Sequence, residues 1–129
     1  MHSKDLAPLI LRISLALVFL YFGISQNLDP GAWSGFVPES MKTSGITANN
    51  LIIFNGFIEI VLGIFLLIGL YVRFASLVLS IHLFVIAFSI GFSPLGVRDF
   101  GLAFATLALF FNGYDKYTLD YKLEKKTSA

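Results

Sequence analysis

A handful of side chains able to hold charge or move protons stand inside otherwise apolar sequence: Arg12, Asn55, Glu59, His82, Arg98 and Asp99. Burying an acidic or basic group at the centre of a lipid bilayer costs about 2.5–3.5 kcal/mol, so such groups persist where they are paired, wet or used. Glu59 is the sharpest case. It lies in the apolar run Leu51–Val72, and Asn55, Glu59 and Gly63 recur at four-residue spacing, with Gly56 beside them. In a helix these share one small, polar face, which should point into a bundle rather than at lipid. Glu59 then reads as a protonatable catalytic group in a ligand pocket, or as half of a structural ion pair, or as a neutral hydrogen-bonded acid. His82 falls about 13 Å from the turn at Arg73, near the depth of Glu59. It reads as the second member of a proton-handling pair or as a hydrogen-bonding contact between helices. Ser89 follows seven residues later on its face. Asn55, Arg98 and Asp99 are the candidate ligand-orienting groups. Arg12 either snorkels to the nearer surface or reaches inward to join them. Its depth differs from that of Glu59 by roughly 10–15 Å, so direct pairing needs tilt or a long reach.

The elements that must position these groups follow from composition. Apolar residues make up 57% of the chain and charged residues 13%. A soluble domain carries about 25% charged residues. The mean hydropathy is +0.82. Near-continuous apolar runs cover Leu9–Ile24, Leu51–Val72, Phe74–Phe92 and Phe100–Phe111, and a membrane-crossing helix needs about 17–25 such residues. The alternating ten-residue segments of a membrane barrel are missing, and helices alone satisfy their own backbone in lipid. The expectation is an all-α membrane protein: a four-transmembrane-helix bundle, one domain over residues 1–129, with helices about 8–25, 50–71, 74–92 and 99–113. Lys4 and Gly23-Ile24-Ser25 mimic a secretory signal, but Arg12 interrupts the apolar stretch, which reads instead as the first span. Pro8 suits its first turn. Residues 26–49 form a polar loop whose Trp33, Phe36 and Val37 lie on the membrane surface. Thr47 or Asn49 caps the second helix. Pro94 and Gly96 break the chain, and Asp99 caps a short fourth helix. That shortness draws Arg98 and Asp99 toward the outer mouth of the bundle, although an N-cap with an interfacial arginine explains them as well. A polar, basic tail follows residue 113.

Lys4, Arg12, Arg73, Lys116, Lys122, Lys125 and Lys126 fall on one side of these spans, Lys42 and Arg98 on the other. The excess places both termini in the cytoplasm, for a multi-pass protein of the cytoplasmic membrane with the long loop outside. The chain has no cysteine, which excludes disulfide chemistry and Fe–S ligation by this chain. A membrane haem commonly takes two intramembrane histidines, and only His82 is available. The other soft-metal donors, Met1, His2 and Met41, are scattered. No haem, Fe–S or metal site is expected. The net charge of +1 gives no sign of nucleic acid, and no phosphate-binding glycine loop is present.

The segment from Leu11 to Gly23, the pair Glu59-Ile60-Val61-Leu62-Gly63 and Leu67-Ile68-Gly69-Leu70-Tyr71-Val72-Arg73, then Val97-Arg98-Asp99-Phe100-Gly101 and Tyr117-Thr118-Leu119-Asp120 resemble, in order and spacing, the DoxX family of small membrane proteins. Ser25-Gln26-Asn27 stands where many of its members carry a basic residue. The resemblance implies a four-helix membrane protein linked to quinone-connected oxidoreduction. On that reading the bundle holds a quinone or similar lipid head group. Glu59 and His82 meet its oxygens, and Asn55, Arg98 and Asp99 orient the ring. A soluble redox enzyme or another bound group supplies electrons, since this chain has no evident redox centre of its own. The alternatives are a non-catalytic anchor for a soluble oxidoreductase and a small lipid or solute carrier. Membrane lipid is the common partner, and small-residue faces around Gly101 and Ser76-Ser80 would allow a homodimer.

Overall fold

The structure, a computed structural model, describes residues 3–42 and 45–127; Met1 and His2 lie outside that range. Helix α1 is Ser3–Leu28. Three single-turn 3₁₀ segments follow, at Pro30–Ala32, Ser34–Phe36 and Glu39–Met41. The remaining helices are α2, Ala48–Ile68; α3, Val72–Ile90; α4, Pro94–Asn112; and α5, Leu119–Thr127. The first four are long and apolar enough to cross a membrane. At 1.5 Å per residue the 19 residues of α3 or α4 span about 28 Å, close to the thickness of the hydrocarbon. The side chains agree with that setting. Phe54, Phe57, Phe74, Phe88, Phe104 and Phe111 all project outward, each at least 60% exposed, an outer surface that water would not tolerate at this density.

Four antiparallel spans bring the start of α1 and the end of α4 to one end, the basal end. There Lys116 lies 3.4 Å from Asp5. Helix α1 packs along α2 and α3 along α4, and these two hairpins meet mainly through α2–α3 and α1–α4. The α1–α2 crossing is set by a glycine pair. A Cβ on Gly23 would stand 2.8 Å from the Gly56 carbonyl oxygen, and one on Gly56 would stand 2.7 Å from that of Gly23. Only hydrogen at both positions permits so close an approach. Below this crossing Leu15, Phe19, Leu62, Leu66, Leu79 and Leu109 form the packed core.

The helix ends differ from expectation for local reasons. Helix α1 starts before Pro8 because that proline removes one amide, the partner of the Lys4 carbonyl, which lies at the exposed helix start. It runs past Ser25 to Leu28, and Asn27 steadies the last turn by donating to the Gly23 carbonyl at 3.1 Å. Thr47, not Asn49, caps α2, its hydroxyl accepting from the Asn50 amide. Gly69, at φ +77°, ends α2 earlier than the apolar run suggests. The amides of Gly69 and Leu70 turn back to the Leu66 and Phe65 carbonyls, the glycine-terminated helix stop. Helix α3 therefore begins at Val72 and ends at Ile90, before Gly91. The largest correction is α4, which begins at Pro94 rather than Asp99. Ser93 is the cap, accepting from the Gly96 amide at 3.1 Å. Pro94 opens the helix instead of breaking it, because a first-turn residue needs no amide hydrogen. Asp99 sits inside the helix, nearly two turns beyond the cap. The tail, expected to be only polar and basic, forms α5.

Candidate functional site

Helix α2 turns its polar face inward. Gly56, Glu59 and Gly63 are buried and Asn55 is half-buried. Glu59, 4% exposed, faces His82 of α3 across 3.8 Å, from Oε1 to Nε2. That distance permits Coulombic attraction but exceeds a hydrogen bond. The Asn55 amide bridges outward, donating to Gln26 Oε1 at 2.7 Å and to Glu59 Oε1 at 3.3 Å. Glu59 Oε2 and His82 Nε2 are buried, and neither has a hydrogen-bond partner among the described residues. A buried polar atom without a partner costs roughly 1–3 kcal/mol, so such atoms ask for an explanation.

Both groups line a cavity of about 330 Å³, within the range of about 300–1,000 Å³ seen for ligand pockets. Asn55, Gln26, Arg98 and Asp99 supply other polar parts of its wall, and Trp33, Phe36, Val37, Pro38 and Met41, from the 3₁₀ segments and the residues between them, roof it. Arg98 binds Asp99 Oδ1 through two nitrogens, at 3.0 and 3.2 Å, and its guanidinium lies 4.7 Å above the Phe22 ring of α1. Such stacking holds a cation at a half-exposed mouth while leaving it in reach of a ligand. Asp99 is 5% exposed. The Trp33 indole donates to Ser25 Oγ at 3.2 Å and meets the Phe22 ring edge-on, which pins the roof to α1.

The structure thus brings Asn55, Glu59, His82, Arg98 and Asp99 together and leaves Arg12 out. Arg12, 2% exposed, is neither at the surface nor beside Glu59. At the basal end its Nε donates to Asp115 Oδ2 at 2.7 Å, and its Nη1 donates to the Leu66 and Leu67 carbonyls at 2.7 and 2.9 Å. Arg12 is therefore no part of this cavity. Its reach is too short for the depth of Glu59, and α2 offers it the Leu66 and Leu67 carbonyls at its own level. Gln26 and Trp33 belong to the site and were not expected in it. Gln26 falls at helical spacing after Phe19 and Phe22, a signal that reading the segment as a loop concealed.

The family model DoxX matches residues 7–91, a stretch that holds α1 from residue 7 onward, all of α2 and α3, and with them Gln26, Asn55, Glu59 and His82. No curated protein and no solved structure matches the chain.

Proposed function

The chain belongs to the DoxX family of membrane proteins, and from that premise we propose that it is a quinone-linked membrane subunit whose cavity takes a quinone or a comparable lipid head group. One observation carries the proposal. Two residues that each carry a buried polar atom without a partner, Glu59 (Oε2) and His82 (Nε2), line a cavity of about 330 Å³ whose remaining wall is mostly apolar. A quinone head fits this donor set. Its flat ring suits walls such as Phe22 and Trp33, and its carbonyl oxygens suit side chains able to offer a proton. A bound quinone would supply reversible coupled electron and proton transfer. The chain's own residues supply the rest. Glu59 and His82 would hold or release a proton at Oε2 and Nε2, Asn55 fixes the Glu59 carboxyl by its bond to Oε1, and Arg98 with Asp99 would orient the bound ring. A soluble redox enzyme would exchange the electrons.

An anchor needs polar groups only to hold its helices together, and Arg12 with Asp115 does that without leaving a cavity. A bundle selected for anchoring alone would gain stability by filling the space beside Glu59. The test uses Trp33, the single tryptophan of the chain, which lines the cavity roof. Quenching of its fluorescence by a quinone should saturate in the purified protein. Glu59→Gln and His82→Leu should each weaken that binding about tenfold. An absence of saturable quenching, or unchanged affinity in both variants, would refute the reading.

Orientation belongs to the same proposal. The basal end carries the basic excess and would face the cytoplasm, with the cavity opening toward the outer leaflet. With cysteines introduced singly, an impermeant thiol reagent on intact cells should label Ser34→Cys and spare Lys122→Cys. The opposite pattern reverses the assignment.

A further inference from the structure

Helices α2 and α3 leave the Gly69–Tyr71 turn packed together and do not stay so. Near the turn Leu62, Leu66, Val72, Ala75 and Leu79 are buried. Glu59 stands ten residues before that turn and His82 eleven after it, roughly 15 Å along each helix. Beyond them the two helices present matching faces. On α2, Leu51, Phe54 and Ile58 share a face with Asn55; on α3, Val85, Ile86 and Ser89 share one with His82, in both cases at spacings of three, four and seven. All line the cavity, yet none is buried, and Phe54 and Val85 are 64% and 51% exposed. Side chains that face a common space and still reach the outside mark a cleft between the helices. Its outer side is the lipid-facing surface of the bundle. Its inner end is the Glu59–His82 pair, and Trp33, Phe36 and Met41 cover its top.

We infer that this α2–α3 cleft is a lateral portal, through which a tailed membrane lipid enters the cavity and in which its apolar tail remains, lying between Phe54 and Val85 while its head group meets Glu59 and His82. The inference rests on the proposed head-group site and adds the ligand's class and route: an amphiphile delivered from the bilayer. The geometry favours this over entry from water. The roof is held to α1 by the Trp33–Ser25 hydrogen bond and by stacking on Phe22. The cleft between α2 and α3 carries no interhelical hydrogen bond from Leu51, Phe54, Ile58, Val85, Ile86 or Ser89 among the described residues; the Ser89 hydroxyl instead donates within its own helix, to the Val85 carbonyl at 2.8 Å. An apolar chain would replace bilayer lipid there without desolvating any polar group.

The test compares two probes in phosphatidylcholine nanodiscs, a quinone ring without a tail and the same ring bearing an isoprenoid tail, both read by quenching of Trp33. Val85→Phe combined with Ser89→Leu narrows the cleft and leaves Trp33 the single tryptophan. The double variant should weaken the tailed probe about tenfold, the worth of a few methylenes denied burial, and the tail-less ring less than about twofold. Phe54→Ala, which only removes atoms at an exposed site, guards against a folding failure. It should speed association of the tailed probe about threefold or more and leave the tail-less ring unchanged. Equal effects on the two probes, or no effect in either variant, overturn the portal. Failure of the head-group reading shows elsewhere: the tail-less ring would then bind wild type, Glu59→Gln and His82→Leu alike, whatever the cleft variants do.

Discussion

Two buried acid–base pairs sit in this bundle, and they are built to opposite ends. At the basal end Arg12 and Asp115 meet at 2.7 Å, each almost wholly buried. Arg12 Nη1 donates to the Leu66 and Leu67 carbonyls, and Nη2 reaches Asp115 Oδ1 at 3.5 Å. Asp115 Oδ1 accepts the Tyr117 amide at 2.9 Å. Next to them Asp120 caps α3 through the Tyr71 and Val72 amides, both at 2.8 Å, and its own amide returns to the Gly69 carbonyl. Toward the outer end Glu59 and His82 stop 3.8 Å apart beside a cavity, with one atom of each unpartnered. Each place sets a buried acid against a base, Arg12 almost wholly buried and His82 with 18% of its side chain exposed, and what differs most is satisfaction. Full satisfaction fixes the two hairpins to each other; partial satisfaction keeps a place for a ligand.

Arg12 is where this contrast can be broken most severely. Arg12→Met leaves the Asp115 carboxylate buried without its cation and frees the Leu67 carbonyl. Breaking a buried pair from one side costs about 3–5 kcal/mol, so Arg12→Met should destabilise the bundle more than a change at Gly56 or Glu59. Denaturant unfolding of the detergent-solubilised protein measures it. A loss below about 1 kcal/mol would mean that the basal network is ornamental and that the two pairs do not differ as described.

How far this arrangement can be read from sequence differs between its parts. The four spans are legible because lipid demands long apolar runs, and the inward turn of Glu59 is legible because Asn55, Gly56 and Gly63 share its face. Arg12 is not. Periodicity reports which face a residue occupies on its own helix and nothing of what another helix brings to that face. The partner, Asp115, is 103 residues away in a segment that reads as solvated tail. Gln26 and the start of α4 were obscured for a related reason. Polar residues and proline signal a break on average, but here Asn27 bonds back into its helix and Pro94 occupies the one turn where proline fits. The roof over the cavity, built from three short 3₁₀ segments, has no periodicity to read.

A smaller effect tests whether the cavity end depends on close backbone packing. Gly56→Ala sets a methyl 2.7 Å from the Gly23 carbonyl oxygen and against the Asn27 amide nitrogen. The α1–α2 crossing must widen, at about 1–3 kcal/mol. Gly101→Ala is its control, since a Cβ there meets nothing within 4 Å and the helix gains propensity. It should leave the unfolding free energy unchanged or slightly raised. Widening at Gly56 also shifts Asn55 and Glu59, so quinone quenching of Trp33 should fall along with stability. If Gly56→Ala lowers stability while affinity is unchanged, the crossing does not position the site.

The smallest expected change in stability is the most informative, and it belongs to Glu59→Gln. The substitution keeps the side chain's shape, and the amide oxygen can still accept from Asn55. Its nitrogen takes the place of an atom that has no partner in the native bundle, so no hydrogen bond is lost by the exchange. His82 is not left as Asp115 would be without Arg12. An imidazole can be neutral in the membrane, and a guanidinium cannot. Unfolding of Glu59→Gln should therefore match wild type to within about 1 kcal/mol, against the several kcal/mol expected of Arg12→Met. The same preparation should bind quinone more weakly, because the amide cannot exchange a proton at the position of Oε2. Stability retained with affinity lost separates a receptive pair from a structural one. A loss of about 3–5 kcal/mol would instead make Glu59 and His82 a second structural ion pair, and the contrast between the two ends of the bundle would vanish.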